Sequence, residues 1–341
     1  MTDETLRERL LAGHVIPALP LALDTNRQWS ERHQQALVRY YSAAGCGGLA
    51  VAVHSTQFAI REAKHGLFEP VLKLAAETMD AEAGPDFLRI AGLCGQTGQA
   101  CSEAGLAADI GYHAGLLSPG AWKEAPEEAF LAHCRTVSEV IPIIGFYLQP
   151  AVGGRVFSYD FWRRFAEIPR VVAIKIAPFN RYQTVDVVRA VTDSGRDDIA
   201  LYTGNDDSIL TDLLTTWPGD RRIAGGLLGQ WGVWTKRAVE MLEEVKAARV
   251  NPALATDWLT KSAALTDANA AVFDAAHHFH GCIPGILEVL RRQGLVPSAC
   301  CLDPKESLSP GQAEELTRVA ADYPWLTDDD FVREHLSAWL S

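Results

Sequence analysis

Lys175 is the residue whose type and position point most directly to chemistry. It lies inside the apolar run 171–176, and two-residue alternation puts it on one face with Val171 and Ala173. The opposite face then carries bulkier side chains, those of Val172, Ile174 and Ile176. Burial lowers the pKa of a lysine, and the neutral amine can attack a carbonyl carbon to form an imine, or Schiff base. Because lysine is rarely buried without a cause, we expect a nucleophile rather than a side chain that reaches past the strand to water or a carboxylate.

Tyr147 stands near the end of the preceding apolar run, 141–148. Alternation places Gly145 on the same face, where its lack of a side chain leaves space beneath the ring. A phenol one strand away from the amine could carry protons while an imine forms. A tyrosine at a strand end is equally often a packing residue with a hydrogen-bonded hydroxyl. Tyr147 is therefore a candidate catalytic residue, with packing as the alternative.

Two adjacent hydroxyl groups follow the apolar run 48–54. Ser55 and Thr56 could bind a carboxylate or pass a proton to the tyrosine. One of them could instead cap the next helix, which is the commoner use of such residues. His54 shares a face with Thr56 and fits either a role in the site or a hydrogen-bonded place in its wall.

Glycines mark the last two apolar runs. Gly204 begins a turn in which Asp206 or Asp207 could cap a helix, and its backbone could face a ligand. Gly226 lies inside the run 223–228 and allows a substrate to approach the backbone closely. We expect both glycines to shape the side of the site that holds a second substrate.

Histidines and cysteines do not form a metal motif. His277, His278, His280 and Cys282 match no closed tetrahedral spacing. The seven cysteines form no C-x-x-C pair and are expected to be reduced thiols. We expect neither a metal nor a cofactor, because a protonated imine is itself an electron sink.

Eight short apolar runs alternate with stretches of helical period. The runs span residues 15–22, 48–54, 87–93, 109–117, 141–148, 171–176, 199–203 and 223–228. The helical patterns between them include residues 30–44, 60–79, 126–140, 159–168 and 182–192. Near-continuous apolar strands alternating with helices indicate a parallel sheet, and eight repeats indicate an α/β fold of the (β/α)₈ TIM-barrel type. An open doubly wound sheet would need a glycine-rich turn after the first run, and residues 23–27 form none.

The last hundred residues carry only helical patterns, at 236–248, 252–280, 283–293, 311–321 and 328–340. The sequence thus predicts a barrel with the active site over residues 1–234 and a C-terminal helical region over residues 235–341. No linker rich in proline, glycine or serine separates the two. We therefore expect the helical region to pack on the barrel.

The charge balance limits the partners of this 341-residue chain. Its 31 basic and 43 acidic residues give a net charge of −12, which disfavours binding to nucleic acid or an anionic membrane. The N-terminal segment lacks the basic start and apolar core of a signal peptide. We expect a cytoplasmic protein that acts on a small molecule.

The motifs together resemble the dihydrodipicolinate synthase and N-acetylneuraminate lyase superfamily of class I aldolases. The resemblance covers nearly the whole chain and rests on the segments GGLAVAVHST, IIGFYLQP, VVAIKIA, YTGNDD and ILEVLRRQGL. It implies a Schiff base between Lys175 and pyruvate or another 2-keto acid. It also implies a proton relay through Tyr147, carboxylate binding by Ser55 with Thr56, and a homo-oligomer, either a tetramer or a dimer.

One family motif is changed in a way that bears on the second substrate. The synthases carry Tyr-Asn-x-Pro-x-Arg-Thr-Gly, whose arginine helps to bind a dicarboxylic partner. Here Val152 occupies the arginine position and Arg155 is displaced from it. The sequence therefore predicts a Schiff-base lyase or aldolase with altered second-substrate contacts. The alternatives are an authentic 4-hydroxy-tetrahydrodipicolinate synthase with rearranged contacts and a ligand-binding barrel without turnover.

Overall fold

Eight parallel strands form the centre of the molecule. The computed structural model describes residues 1–341, apart from the side chains of Pro252, Leu254 and Ala255. The strands are β1 (Val15–Pro17), β2 (Gly48–Val51), β3 (Leu88–Leu93), β4 (Ala114–Leu117), β5 (Ile143–Leu148), β6 (Val171–Ala177), β7 (Ala200–Thr203) and β8 (Gly225–Leu228). Their order is β1-β8-β7-β6-β5-β4-β3-β2, and a parallel bridge between Ala18 and Ala50 joins β1 to β2. The predicted (β/α)₈ barrel is confirmed.

Thirteen helices accompany the strands, and those between the strands cover the outside of the barrel. They are α1 (Asp3–Ala12), α2 (Glu31–Ala44), α3 (Phe68–Glu82), α4 (Thr97–Ile110), α5 (Glu127–Val140), α6 (Tyr159–Phe165), α7 (Arg181–Asp193), α8 (Ile209–Leu214), α9 (Thr235–Ala248), α10 (Pro252–Val272), α11 (Cys282–Arg292), α12 (Gln312–Asp322) and α13 (Asp329–Trp339). Residues 60–67, predicted to begin a helix, lie outside α3, and residues 109–110 end α4 instead of starting β4. A short apolar run does not by itself distinguish a buried strand from a buried helix end.

Two separate apolar layers hold the barrel together. The interior layer contains Ile16, Ile90, Leu116, Ile144 and Leu227 from alternate positions of the strands. The outer layer lies between the sheet and the helices. Leu6 and Leu10 of α1 join the interior layer, and the Leu10 carbonyl accepts a hydrogen bond of 2.8 Å from the Tyr202 hydroxyl. Helix α1 therefore closes the base of the barrel, at the end opposite the strand C-termini.

The alternation predicted for β6 holds at its C-terminal end only. Ile174 belongs to the outer layer and Ala173 to the interior, as expected. Val171, predicted to face inward, belongs to the outer layer, and Val172 to the interior. A register shift against Ile143 and Ile144 of β5 causes the difference, because Val172 is an extra residue in the pairing.

The C-terminal helices contribute both to the ring and to the tail. Helix α9 packs against α2 and α8 and so completes the ring of helices around the barrel. Helices α10 to α13 follow it, and Asp328, before α13, joins them to the ring. Its carboxylate accepts hydrogen bonds from the Tyr40 hydroxyl at 2.7 Å and from the Lys236 backbone N–H at 2.9 Å. The helical region is thus packed on the barrel. The division at residue 235 stays a prediction.

Candidate active site

A cavity opens at the C-terminal ends of the strands, where (β/α)₈ barrels hold their functional groups. The space between its walls, solvent at the mouth included, is about 650 Å³. Barrel strands and the loops after them form one wall, and residues from α11 and the segment before it form the other. Its polar and ionisable lining groups are His54, Ser55, Gln149, Lys175, Asp206 and Cys282.

Lys175 lies in this cavity, as the position of a lysine within the apolar run of β6 predicts. Its side chain is only 9% exposed, and its ammonium Nζ lies 4.4 Å from the centroid of the Phe146 ring on the neighbouring strand. Burial lowers the pKa of Lys175 to about 8, although the negative charge of Asp206 opposes the shift. The neutral, nucleophilic form of this amine is therefore far more populated near neutral pH than it is for an exposed lysine.

Asp206 is the ionisable residue that acts on the charge of Lys175, whereas the sequence analysis considered it only as a possible helix cap. Its carboxylate lines the same cavity and accepts a hydrogen bond from the Gln230 backbone N–H at 3.4 Å. Burial raises the pKa of Asp206 to about 7, and the positive charge of Lys175 limits the rise. Ser208, not Asp206 or Asp207, is the N-cap residue of α8. A carboxylate just past the end of β7 was the signal that could have identified this residue.

The residues after β2 divide between the cavity and the protein interior. Ser55 lines the cavity, and its hydroxyl donates a 3.0 Å hydrogen bond to the Ala18 carbonyl. Thr56 does not reach it: its hydroxyl donates to the Leu19 carbonyl at 2.6 Å and accepts from the Val53 N–H at 3.2 Å. His54 also lines the cavity. Burial, and secondarily the charge of Lys175, lower the pKa of His54 to about 4, so the ring is neutral at pH 7.

The two predicted glycines also separate. Gly204 lines the cavity, and a Cβ atom there would lie 2.8 Å from Cε of Lys175. Any side chain at this position would displace the lysine. Gly226 instead faces the Trp231 ring, which a Cβ atom would approach to 2.6 Å. Gly229, which directly follows β8, lines the cavity instead of Gly226.

Tyr147 does not point into the cavity. It is 1% exposed in the outer layer, where its ring packs against Trp162 and Phe157. Its hydroxyl accepts from the Phe157 N–H at 3.3 Å and lies 3.5 Å from the Phe157 carbonyl. Gly145 shares a face with Tyr147, as predicted, but that face points outward, and Gly145 leaves room there for the Phe165 ring of α6. The expectation that Tyr147 lies beside the amine is wrong, and Phe146, which has no hydroxyl, occupies that position.

The arginine expected for a dicarboxylic substrate is missing from the cavity wall. Val152 lines the cavity at that position. Arg155 donates hydrogen bonds to the Trp122 carbonyl at 2.8 Å and the Ala125 carbonyl at 2.5 Å, and its guanidinium lies over the Phe157 ring. Arg155 is thus committed to the protein interior and does not replace the lost arginine.

The histidines before α11 are not arranged around a metal. His277 Nδ1 lies 2.6 Å from the Asp274 carboxylate. Among the residues that the structure describes, no group of three or more histidine, cysteine or acidic side chains could hold a metal ion. Within the same residues, no helix is long and apolar enough to cross a membrane. All seven cysteines are free thiols.

The fold and the cavity together define a (β/α)₈ barrel with a buried lysine at its mouth. N-acetylneuraminate lyase 2 of Escherichia coli O6:H1 (strain CFT073) is 23% identical over 311 residues, which are 90% of this chain and 92% of the lyase. Dihydrodipicolinate synthase from Cyanidioschyzon merolae superposes with a TM-score of 0.76 at 19% identity, over 92% of this chain and 99% of the synthase. The pyruvate complex of dihydrodipicolinate synthase from Acinetobacter baumannii gives 0.75 at 20%, with the same coverage.

These similarities confirm the resemblance to dihydrodipicolinate synthases and N-acetylneuraminate lyases. The chain has the fold of these proteins and is similar in sequence to the lyase over most of its length. No profile of a known protein family matches it.

Proposed function

We propose that this protein is a lyase or aldolase that forms an imine between Lys175 and pyruvate or another 2-keto acid. The observation that carries the proposal is a lysine buried at the mouth of a barrel, with a lowered pKa and an aspartate on the wall of the same cavity. The similarity to N-acetylneuraminate lyase 2 and to a synthase solved with pyruvate supports it.

The chemistry follows from the neutral amine. Nζ of Lys175 attacks the keto carbon, and the carbinolamine loses water to give a protonated imine. In cleavage, the carbon next to the imine carbon loses its bond to the second substrate, and the imine nitrogen accepts the electron pair. In condensation, the enamine supplies the electron pair when that bond forms. No metal is needed for this sequence of steps. Hydrolysis releases the product and restores the amine.

Asp206 is the group that we propose to move protons in these steps. A carboxyl with a pKa of about 7 can both donate and accept a proton near neutral pH. Tyr147 cannot do so from the outer layer. Ser55 is the hydroxyl that we propose to bind the keto-acid carboxylate, by turning its O–H away from the Ala18 carbonyl, since it lines the cavity whereas Thr56 is buried behind it.

Deuterium exchange tests the proposal without knowledge of the second substrate. The enzyme should exchange the methyl protons of pyruvate for deuterium in heavy water, observed by NMR, because the imine equilibrates with its enamine. Lys175→Ala should abolish exchange. Lys123→Ala, which removes an exposed lysine lining a neighbouring groove, should not. Exchange that survives in Lys175→Ala would contradict the proposal.

Authentic dihydrodipicolinate synthesis is the alternative activity, and the cavity wall disfavours it. With Val152 in the wall and Arg155 bound to backbone carbonyls, the lining offers no guanidinium to a dicarboxylic substrate. The other alternative, a barrel that binds without turnover, predicts no exchange of the pyruvate protons.

A further inference from the structure

Two phenylalanine rings meet at the mouth of the cavity. Phe179 follows β6 and Phe279 precedes α11, and their ring centroids lie 5.7 Å apart in an edge-to-face arrangement. Both side chains are half-buried and line the cavity. Both residues have positive φ angles, 52° and 67°, in the left-handed region that bulky side chains rarely adopt. Strained backbone of this kind concentrates at ligand sites, where the surrounding structure enforces it.

The surrounding structure does hold Phe179 in this conformation. The Phe179 N–H donates a 3.0 Å hydrogen bond to Oδ1 of Asn205, which is buried. The Asn205 amide in turn donates to the Asp212 carboxylate at 2.9 Å and to the Thr184 hydroxyl at 3.2 Å. These contacts fix the backbone that carries the ring. The ring is therefore placed at the mouth by the fold and is not a loose surface side chain.

The cavity continues past the two rings into a second space of about 340 Å³ beside α10. Phe273 and Ala270 line this annex together with both mouth phenylalanines. The donor groups of Thr266 and Asn269 are engaged with the protein, whereas Oδ1 of Asn269 is buried without a partner. The Thr266 hydroxyl donates to the Asp207 carbonyl at 2.8 Å, and the Asn269 amide donates to the Asp206 carbonyl at 2.6 Å. The annex therefore presents mainly carbon to a ligand.

The charges around the annex disfavour an anionic ligand. Asp206 and Asp207 both line it, and a carboxylate would be repelled by them. Val152 and Leu148, elsewhere in the cavity wall, cannot pair with a carboxylate. An apolar cavity lined by aromatic rings favours a flat, uncharged ligand that stacks on or packs edge-on against those rings.

We propose that the second substrate is an uncharged aromatic aldehyde whose ring lies among Phe179, Phe273 and Phe279. The inference rests on the proposed function, because the aldehyde reacts with the enamine held on Lys175. In the condensing direction, the enamine carbon forms a bond to the aldehyde carbon and the aldehyde oxygen takes a proton. Water then releases a 4-hydroxy-2-keto acid from the lysine. The cleavage reaction is the reverse.

Turnover of pyruvate with benzaldehyde, aspartate semialdehyde and N-acetylmannosamine tests the inference. We expect kcat/KM for benzaldehyde to exceed that for either of the other two by tenfold or more. Phe279→Ala and Phe279→Leu should each lower kcat/KM for benzaldehyde about tenfold, because both remove the aromatic ring. Phe279→Leu should lower deuterium exchange into pyruvate much less than it lowers turnover of benzaldehyde. Phe331→Ala, which removes a half-buried phenylalanine of α13 outside the cavity, should leave both measurements unchanged.

The possible results separate this inference from the proposed function. If pyruvate exchanges deuterium but benzaldehyde is not preferred, or Phe279→Leu reacts with benzaldehyde as well as the unsubstituted protein, the aromatic substrate is wrong and the imine stands. If neither pyruvate nor any other 2-keto acid of a panel exchanges deuterium, both proposals fall together.

Discussion

At the scale of single residues, the site depends on one pair of charges of opposite sign. Burial lowers the pKa of Lys175 and raises that of Asp206, and each charge partly offsets the effect of burial on the other. The sequence identified the lysine because a charged residue inside an apolar strand is conspicuous. It did not identify Asp206 as its partner, because a carboxylate after a strand end is compatible with helix capping as well.

The pair makes the rate of imine formation depend on pH. Because the neutral amine reacts, the rate should rise with pH and level off above the Lys175 pKa of about 8. The Asp206 charge raises that pKa, so Asp206→Asn should shift the rise to lower pH. If Asp206 also moves protons, turnover should fall by about 10²–10⁴-fold. Stopped-flow measurement across pH checks both effects.

Asp197→Asn is the matched control for this experiment, since it neutralises an exposed carboxylate that pairs with Arg221. It should leave the pH profile in place. An unshifted profile in Asp206→Asn would mean that the aspartate does not act on the amine.

At the scale of elements, the two-residue alternation predicted correctly that Gly145 and Tyr147 share a face of β5. It did not show which of the two faces points into the barrel. Gly145 and Tyr147 do share a face of β5, but it is the outer one. A parallel strand in a barrel is apolar on both faces, so its sequence does not show which face points inward. In β6 the lysine indicated correctly that Ala173 faces the interior. Val172 is an extra residue in the pairing with β5, and Val171 therefore faces outward instead of inward. A register shift of this kind leaves no pattern in the sequence when the residues around it are all apolar.

The outward position of Tyr147 predicts the behaviour of Tyr147→Phe. The change removes the hydroxyl that accepts from the Phe157 N–H but keeps the packing of the ring on Trp162. We expect the free energy of unfolding to fall by about 0.5–1.5 kcal/mol, with near-normal imine formation. Denaturant unfolding and single-turnover rates measured on the same variant check this. A rate loss of a hundredfold in a protein of normal stability would return the hydroxyl to the reaction.

At the scale of the whole molecule, the C-terminal region is part of the site as well as of the fold. Phe273, Phe279 and Ile286 complete a cavity whose lysine belongs to the barrel. The sequence predicts that this region packs on the barrel, and in the structure Asp328 accepts a hydrogen bond from Tyr40 of the helix ring. It could not predict that Phe279 lies at the mouth, because helical periodicity indicates a buried face but not the element that it covers.

The attachment of this region can be tested at Asp328. Its carboxylate accepts from Tyr40, from the Lys236 backbone and from the Gln293 amide at 2.9 Å. Asp328→Ala would leave the Tyr40 hydroxyl and the Lys236 N–H without this acceptor and should lower the free energy of unfolding by about 2–4 kcal/mol. Asp330→Ala, at an exposed position two residues later, should have little effect. Urea unfolding of both variants makes the comparison, and equal stabilities would show that Asp328 does not join the two parts.

The central claim is that the amine of Lys175 forms a covalent imine with a 2-keto acid. Reduction with borohydride in the presence of pyruvate, followed by mass spectrometry of the peptides, tests it most directly. We predict a stable adduct on the peptide that contains Lys175, absent from Lys175→Ala and still present in Lys123→Ala. An adduct on another lysine, or none with any of a panel of 2-keto acids, would contradict the account.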